Sequence, residues 1–338
     1  VRVIRMNMSY PMTPEKKAIL VSIGSATIDK SLLGSTFRTT ATAGPGAGGC
    51  SFFIRSGDHR VRLGINPASL LKVIPSGDQV LVMRGDEIIT SGYLESPLCH
   101  CPGQAYITVS ERCIFDCKFC PVPKLQGHVK DFETVLEMVR KAQETGELRA
   151  ISLTSGVAES PEKEVSNMVG IVKVLHREYD VPIGVSVYPT ETSSEDLYAA
   201  GADEIKYNVE TMDHSIFYRV CPGLSLEFIL GSLQKAVKIF GKNHVFTNFI
   251  IGLGEDDNCV HEGVIKLAAM EVIPVLRPIS ASPLRKGQIV IDRPGPERLL
   301  RLARMTREIL DMNGMDARKA RTMCLPCTGC DITPHRDV

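Results

Sequence analysis

Neither sign of charge is in excess in this sequence: 39 Lys and Arg stand against 39 Asp and Glu over 338 residues. Without a basic surplus, nothing holds a nucleic-acid backbone or an acidic membrane by charge alone, and neither partner is expected. Long hydrophobic runs are missing as well, none approaching the roughly 20 residues that cross a bilayer. The opening residues, Val1-Arg2-Val3-Ile4-Arg5, lack the apolar core of a signal peptide, so the expected location is cytoplasmic. Nor is there an even cysteine set stapling a small chain: the 11 cysteines are an odd count in a large one, and six fall into two tight triplets. Metal or iron–sulfur ligation accounts for them better than disulfides. What is present is enough apolar side chain, 43% of residues, to fill a sizeable core.

Residues 1–103 read as a small β-rich accessory segment. A Gly-, Ala- and Thr-rich stretch, Thr39–Gly49, precedes short β-like runs at Val61–Leu63, Gln79–Met83 and Glu87–Thr90, with turn signals at Ser76-Gly77-Asp78 and Arg84-Gly85-Asp86. From residue 104 strand and helix patterns alternate. Strands are expected at Ala105–Val109, Ala150–Thr154, Ile183–Tyr188, Glu204–Asn208, Val245–Ile251 and Val272–Arg277. Amphipathic helices are expected near Asp131–Thr145, Pro161–Glu178, Ser193–Ala200, Ser225–Phe240 and Asn258–Met270, with a closing helix at Pro296–Met312. Six βα units predict an α/β fold over 104–316 with a parallel sheet curled into a (β/α)6 partial TIM barrel, although a doubly wound open sheet gives the same alternation. Residues 317–338 form a cysteine-bearing C-terminal tail.

Cys113, Cys117 and Cys120 make a C-x3-C-x2-C array just after the first barrel strand. Three thiolates at this spacing grip three corners of a [4Fe–4S] cube and leave one iron open to a small molecule; the rival is half of a zinc site, for which nothing nearby completes the paired pattern. C-x3-C-x-aromatic-C at the first loop of a six-unit barrel resembles the radical S-adenosylmethionine (SAM) superfamily, over about residues 104–280. The resemblance implies that the open iron chelates SAM, that the reduced cluster cleaves it to a 5′-deoxyadenosyl radical, and that Phe119 lies against the adenine. It also implies that Thr154, Ser155 and Gly156 meet the SAM amino group, and that Ile251, Gly252 and Gly254 line the adenine. Asn208 and Glu210 resemble the segment that reaches the ribose, where an amide plus a carboxylate on one strand face chelate a diol. Arg277, ending the sixth strand, suits the SAM carboxylate, a substrate anion or an ordinary salt bridge.

The second triplet, Cys324, Cys327 and Cys330, lies in the tail, and Cys99-His100-Cys101 precedes the barrel. The C-x2-C-x2-C spacing suits a second [4Fe–4S] cluster with a fourth ligand from Cys99 or Cys101, against a zinc clasp completed by His100 or a fourth Cys. Within the superfamily the barrel segments look most like biotin synthase and lipoyl synthase, which insert sulfur at C–H carbons and use an auxiliary cluster as donor. The barrel strands lack the auxiliary-cluster cysteines of biotin synthase. Cysteines placed outside the barrel are similar in logic to lipoyl synthase, the two-component archaeal kind included. That resemblance implies a small-molecule or carrier-protein-bound acyl substrate, a reductant such as ferredoxin or flavodoxin, a second radical SAM protein as partner, and a tail folded back over the C-terminal strand ends. The alternatives are a mutase or cofactor-building enzyme of the methylornithine-synthase type, and a non-catalytic iron–sulfur or zinc protein.

Overall fold

Two β-sheets organise the chain in this computed structural model, which describes residues 10–34, 37–40 and 47–338. The Val1–Arg5 start and residues 41–46 of the Gly/Ala/Thr stretch lie outside the described residues. No helix among the described residues is long and apolar enough to cross a membrane.

The N-terminal elements are α1 (Pro14–Ile23), β1 (Ser25–Ile28), α2 (Lys30–Leu33), β2 (Thr39–Thr40), β3 (Cys50–Ser56), β4 (His59–Ile65), β5 (Leu71–Ser76), β6 (Gln79–Arg84) and β7 (Glu87–Glu95). Both turns marked in the sequence form hairpins, β5–β6 and β6–β7, with Gly77 and Gly85 at φ of 65° and 59°, where a side chain would be strained. The sheet does more than the expected β-rich lead-in. It runs β2-β3-β4-β1-β5-β6-β7, and β7 pairs back with β3, so the six strands β3 to β7 with β1 close into a ring and the two-residue β2 lies outside it against β3. Phe52, Ile54, Leu63, Leu71 and Val82 fill it.

The second sheet is wholly parallel, ordered β13-β12-β11-β10-β9-β8. Its elements in chain order are β8 (Gln104–Thr108), α3 (Phe132–Thr145), β9 (Ala150–Thr154), α4 (Pro161–Glu178), β10 (Ile183–Ser186), α5 (Ser193–Ala199), β11 (Glu204–Lys206), α6 (His214–Val220), α7 (Leu226–Phe240), β12 (Val245–Ile251), α8 (Asp257–Ala269), β13 (Ile273–Pro278), α9 (Pro296–Met312) and the single turn α10 (Cys324–Cys327). This is the (β/α)6 partial barrel. Side-chain caps start the helices where the sequence placed them: Asp131, Ser160, Ser225 and Asp256 each accept an N–H of the first turn. Two strands stop earlier than their pattern suggests, β10 at Ser186 and β11 at Lys206, and the short helix α6 was not foreseen.

The tail takes a route that local pattern does not show. Rather than folding over the C-terminal strand ends, it enters the barrel among the N-terminal ends. Glu204, the first residue of β11, accepts the Arg321 and Thr322 N–H groups at 2.9 and 2.8 Å. Gly184 leaves room for the Thr322 side chain. The Met323 N–H then donates to Ser152 Oγ at 2.8 Å, and its carbonyl accepts from Gln104 Nε2 at 2.9 Å. Cys324 then lies beside Tyr106 of β8 and Arg277 of β13, and the tail seats on the N-terminal ring: the Gly329 carbonyl accepts from the Arg62 N–H at 2.7 Å and the Cys327 carbonyl from Arg60 Nη1 at 3.0 Å. The segments 1–103, 104–316 and 317–338 therefore share cores, with Leu299 of α9 and Ile332 of the tail packed among the ring's apolar residues.

The last turn of the tail is fixed by a buried ion pair, Lys17 Nζ to Asp337 Oδ2 at 2.5 Å, with His59 Nδ1 on the other oxygen at 2.9 Å. Burial pushes the Asp337 carboxyl up, but Lys17 and His59 outweigh it and hold the group below its ordinary 3.8. A carboxyl lower in the folded than in the unfolded chain adds stability above its unfolded value and loses it as pH falls through the folded one. Lys17→Met is expected to lower unfolding stability by about 3–5 kcal/mol in urea titrations at pH 7, because a buried carboxylate loses its partner. The gap to wild type should narrow below pH 4.

Candidate functional site

A cavity of about 420 Å³ opens at the C-terminal ends of the parallel strands and extends down to the tail. The inward residues of each strand line it: Tyr106 and Thr108, Thr154, Ser186, Lys206 and Asn208, Asn248 and Ile250, and Arg277. The N-terminal ring closes one side with Gly49, Cys50, Ser51, Arg62 and Gly64.

Cys113, Cys117 and Cys120 sit on the loop after β8, and all three line the cavity. The loop is pinned at several points. The Ile114 N–H donates to the Val157 carbonyl and the Lys118 N–H to the Val220 carbonyl, both at 2.7 Å. Gly156 is needed because the Arg112 backbone crosses where its Cβ would be. Arg285, from the loop after β13, donates Nε to the Cys120 carbonyl at 2.6 Å and pairs through Nη1 with Asp116 at 2.7 Å. Lys118 and Arg285 hold the Asp116 carboxyl well below the usual carboxylate range. No sequence motif marks Arg285, which lies 165 residues beyond the loop it clasps. Burial pushes the Cys120 thiol up to about 12, so a free thiol here stays protonated until an electrophilic partner takes the proton's place. Phe119 is buried against the barrel core and also borders the cavity. Cys221, single in the sequence, lies buried with its thiol against that of Cys117, a contact that together with burial pushes it far up.

The other expected SAM contacts divide. Thr154, Ser155 and Gly156 border the cavity, but the Ser155 hydroxyl is engaged, accepting from the Ser110 N–H at 2.9 Å and donating to Glu164. Asn208 and Glu210 both face the cavity, although β11 ends before them. Glu210 gets there through a left-handed backbone, φ 60°, fixed by the Asn248 carbonyl accepting its N–H at 3.0 Å. Burial raises its carboxyl to about 7 against the pull of Lys206, Asn208 and Arg277. Asn248 Oδ1 is buried at the cavity wall without a hydrogen-bond partner, an acceptor the sequence analysis did not single out. Ile251, Gly252 and Gly254 do not border the cavity; Ile250 does. The Gly252 and Leu253 N–H groups donate to Glu255 at 2.7 and 2.8 Å, so this turn is closed on itself. Arg277 lines the cavity with its Nε 3.7 Å from Asp331 Oδ2, too far for a hydrogen bond.

Cys324, Cys327 and Cys330 border the same cavity lower down, together with His100 and Cys101. Cys101 is hydrogen-bonded to Cys327; it keeps its proton, while that bond and Arg60 bring the Cys327 thiol down to about 6. Cys99 does not join them. Its Sγ lies 3.9 Å from the Met138 carbonyl on α3, because the chain turns between the two cysteines, the Leu98 N–H donating to the Cys101 carbonyl at 3.2 Å. His128, on the loop after β8, and His214, the first residue of α6, do not line the cavity either. Among the described residues no three His, Cys, Asp or Glu side chains gather about one metal-sized point. A cube takes each thiolate at a separate corner and does not require such convergence, as a single tetrahedral ion does.

Residues 107–264 match the family model of the radical SAM superfamily. The biotin synthase of Magnetococcus marinus is 26% identical over 174 residues, 48% of this chain and 52% of that protein. Methylornithine synthase superposes on 63% of this chain and 69% of its own with a TM-score of 0.50 at 16% identity. The FeFe-hydrogenase maturase of Carboxydothermus hydrogenoformans covers 62% of this chain and 52% of its own, with a TM-score of 0.52 at 17% identity. At these identities the structural likeness is one of fold. The chain spans about half the length of the curated relatives it matches.

Proposed function

We propose, from the premise that residues 107–264 form a radical SAM superfamily domain, that the chain is a radical enzyme inserting sulfur at an unactivated C–H carbon. The family implies a [4Fe–4S] cluster and SAM, and the residues fit both: three thiols at the mouth, and Asn208, Glu210 and the unpartnered Asn248 Oδ1 facing a cavity of small-molecule size. When bound, this pair supplies the 5′-deoxyadenosyl radical that removes hydrogen from carbon. Cys113, Cys117 and Cys120 would hold the cluster and Arg285 the loop that carries them. Asn208 and Glu210 would orient the ribose diol, and the N-terminal ring would keep water from the reacting carbon.

The single observation that carries sulfur insertion is that both thiol sets open onto one cavity. A donor sulfide must lie close to the carbon radical, since proximity decides whether bond formation outruns side reactions. Cys101, Cys324, Cys327 and Cys330 would hold a second cluster as that donor. The substrate class is an acyl chain on a carrier domain, with ferredoxin or flavodoxin as reductant and a second radical SAM protein as partner. The test is anaerobic reconstitution followed by SAM, dithionite and an octanoylated carrier domain, alone and with a partner radical SAM protein. 5′-Deoxyadenosine together with thiolated carrier is the expected result. The nucleoside with a rearranged, sulfur-free product would point to a mutase, and no 5′-deoxyadenosine at all would leave a non-catalytic metal protein.

Glu210→Ala is expected to weaken SAM binding by about 1–3 kcal/mol through one lost charge-assisted bond. Equilibrium binding to the reconstituted protein measures it, with iron content unchanged as the control.

A further inference from the structure

The inward side of β11 and of the two residues that follow it is polar, with Glu204, Lys206 and Asn208 alternating with the outward, buried Ile205 and Tyr207. Glu204 binds the tail and Asn208 faces the upper cavity; Lys206, between them, has no assigned task. It is 3% exposed. Among the described residues it has no ion pair with a carboxylate, and its ammonium makes a single hydrogen bond, to Cys324 Sγ at 3.8 Å. A lysine sealed in a barrel, hydrogen-bonded only to a thiol and facing Glu210 without pairing with it, is unfavourable unless a further negative group sits there.

Three further cations surround the same spot. Arg62 and Arg277 border the cavity, and the Nε of each is buried without a hydrogen-bond partner. Arg293 borders it too, its charge acting on Cys330. Two carboxylates stand against them, Asp331 near Arg277 and Glu210 within reach of Lys206 and Arg277. Four cations against two carboxylates leave an excess of two positive charges around Cys101, Cys324, Cys327 and Cys330. An oxidised cube held by four thiolates carries two negative charges, so the protein supplies the matching charge in advance.

We infer that Lys206 is a positioning residue for the second cluster: its ammonium holds the Cys324 thiolate and, with Arg62 and Arg277, offsets the charge of the four-thiolate cube. The inference rests on the reading that the second thiol set binds an iron–sulfur cluster. Net charge and hydrogen bonds to the sulfurs set the potential of such clusters. Taking away a nearby positive charge makes the added electron less welcome and lowers the potential.

The test uses the full chain with Cys113, Cys117 and Cys120 replaced by alanine, so that only the second cluster is read. This parent, its Lys206→Met form and its Lys206→Arg form are reconstituted anaerobically with iron and sulfide, then titrated reductively with EPR detection. The expected result is about four irons in each, a midpoint potential lowered in Lys206→Met, and one near the parent's in Lys206→Arg. Loss of iron from Lys206→Met alone carries the same conclusion. Equal potentials in all three overturn it. So does loss of iron from both variants, which would mean that Lys206 acts through packing. In the chain with all cysteines intact, SAM affinity separates the remaining role: if Lys206→Met weakens SAM binding and leaves the second potential unmoved, Lys206 serves Glu210 instead. A parent that binds no iron removes the second-cluster reading itself, and the inference with it.

Discussion

Replacing Cys113, Cys117 and Cys120 together by alanine is expected to abolish 5′-deoxyadenosine formation and to halve the iron content, from about eight to about four per chain. The protein should stay folded. The three side chains lie on a loop above the strand ends, and that loop is held by backbone bonds to Val157 and Val220 and by the Arg285 clasp, none of which involves a cysteine sulfur. Iron analysis and circular dichroism read the two halves of this expectation separately. Wild-type protein with about four irons and one zinc would leave the first cluster in place and remove the second.

The second large effect concerns the tail. Cys324→Ser/Cys327→Ser/Cys330→Ser is expected to leave 5′-deoxyadenosine formation intact and to abolish thiolated product, a loss limited only by the detection of mass spectrometry. The reasoning is spatial. These thiols border the same cavity as the first triplet, but they are carried by a segment fixed through Glu204, Ser152, Gln104 and Lys17, so removing the sulfurs leaves its anchors unchanged. Serine keeps a small polar group in place of each thiol, which limits the cavity left behind. Thiolated product from this variant would place the sulfur donor elsewhere and refute the role given to the tail. A variant that also fails to make 5′-deoxyadenosine would show that the tail shapes the SAM site itself.

The alternation of short apolar strands with capped amphipathic helices is local, and local patterns survive in sequence order. For this reason the limits of β9, α4, β12 and α9 follow from the residues alone. The first cysteine triplet was legible for the same reason, its three donors lying within eight residues of one another. Long-range contacts leave no such trace. Closure of the N-terminal ring depends on β3 meeting β7, and the Arg285 clasp on a loop 165 residues distant from Cys120. The route of the tail depends on a glycine at 184 and a carboxylate at 204 that look ordinary where they stand.

The second thiol set shows the division most clearly. Spacing alone put Cys324, Cys327 and Cys330 together but left Cys99 and Cys101 equivalent, and only the direction of each side chain separates them, Cys101 meeting Cys327 and Cys99 turning to α3. Spacing also said nothing of Lys206, because a lysine in a strand is unremarkable until its surroundings are known. The sequence by itself determined which residues lie on which face of each strand, since that follows from a period of two. The tertiary structure decided what fills the space those faces enclose: a tail drawn in from the far end, whose three thiols join Cys101, Arg62, Lys206 and Arg277 in one cavity with the first triplet. Burial and charge balance act on distance in space, and no order of residues along the chain fixes that distance until the barrel has closed around its tail.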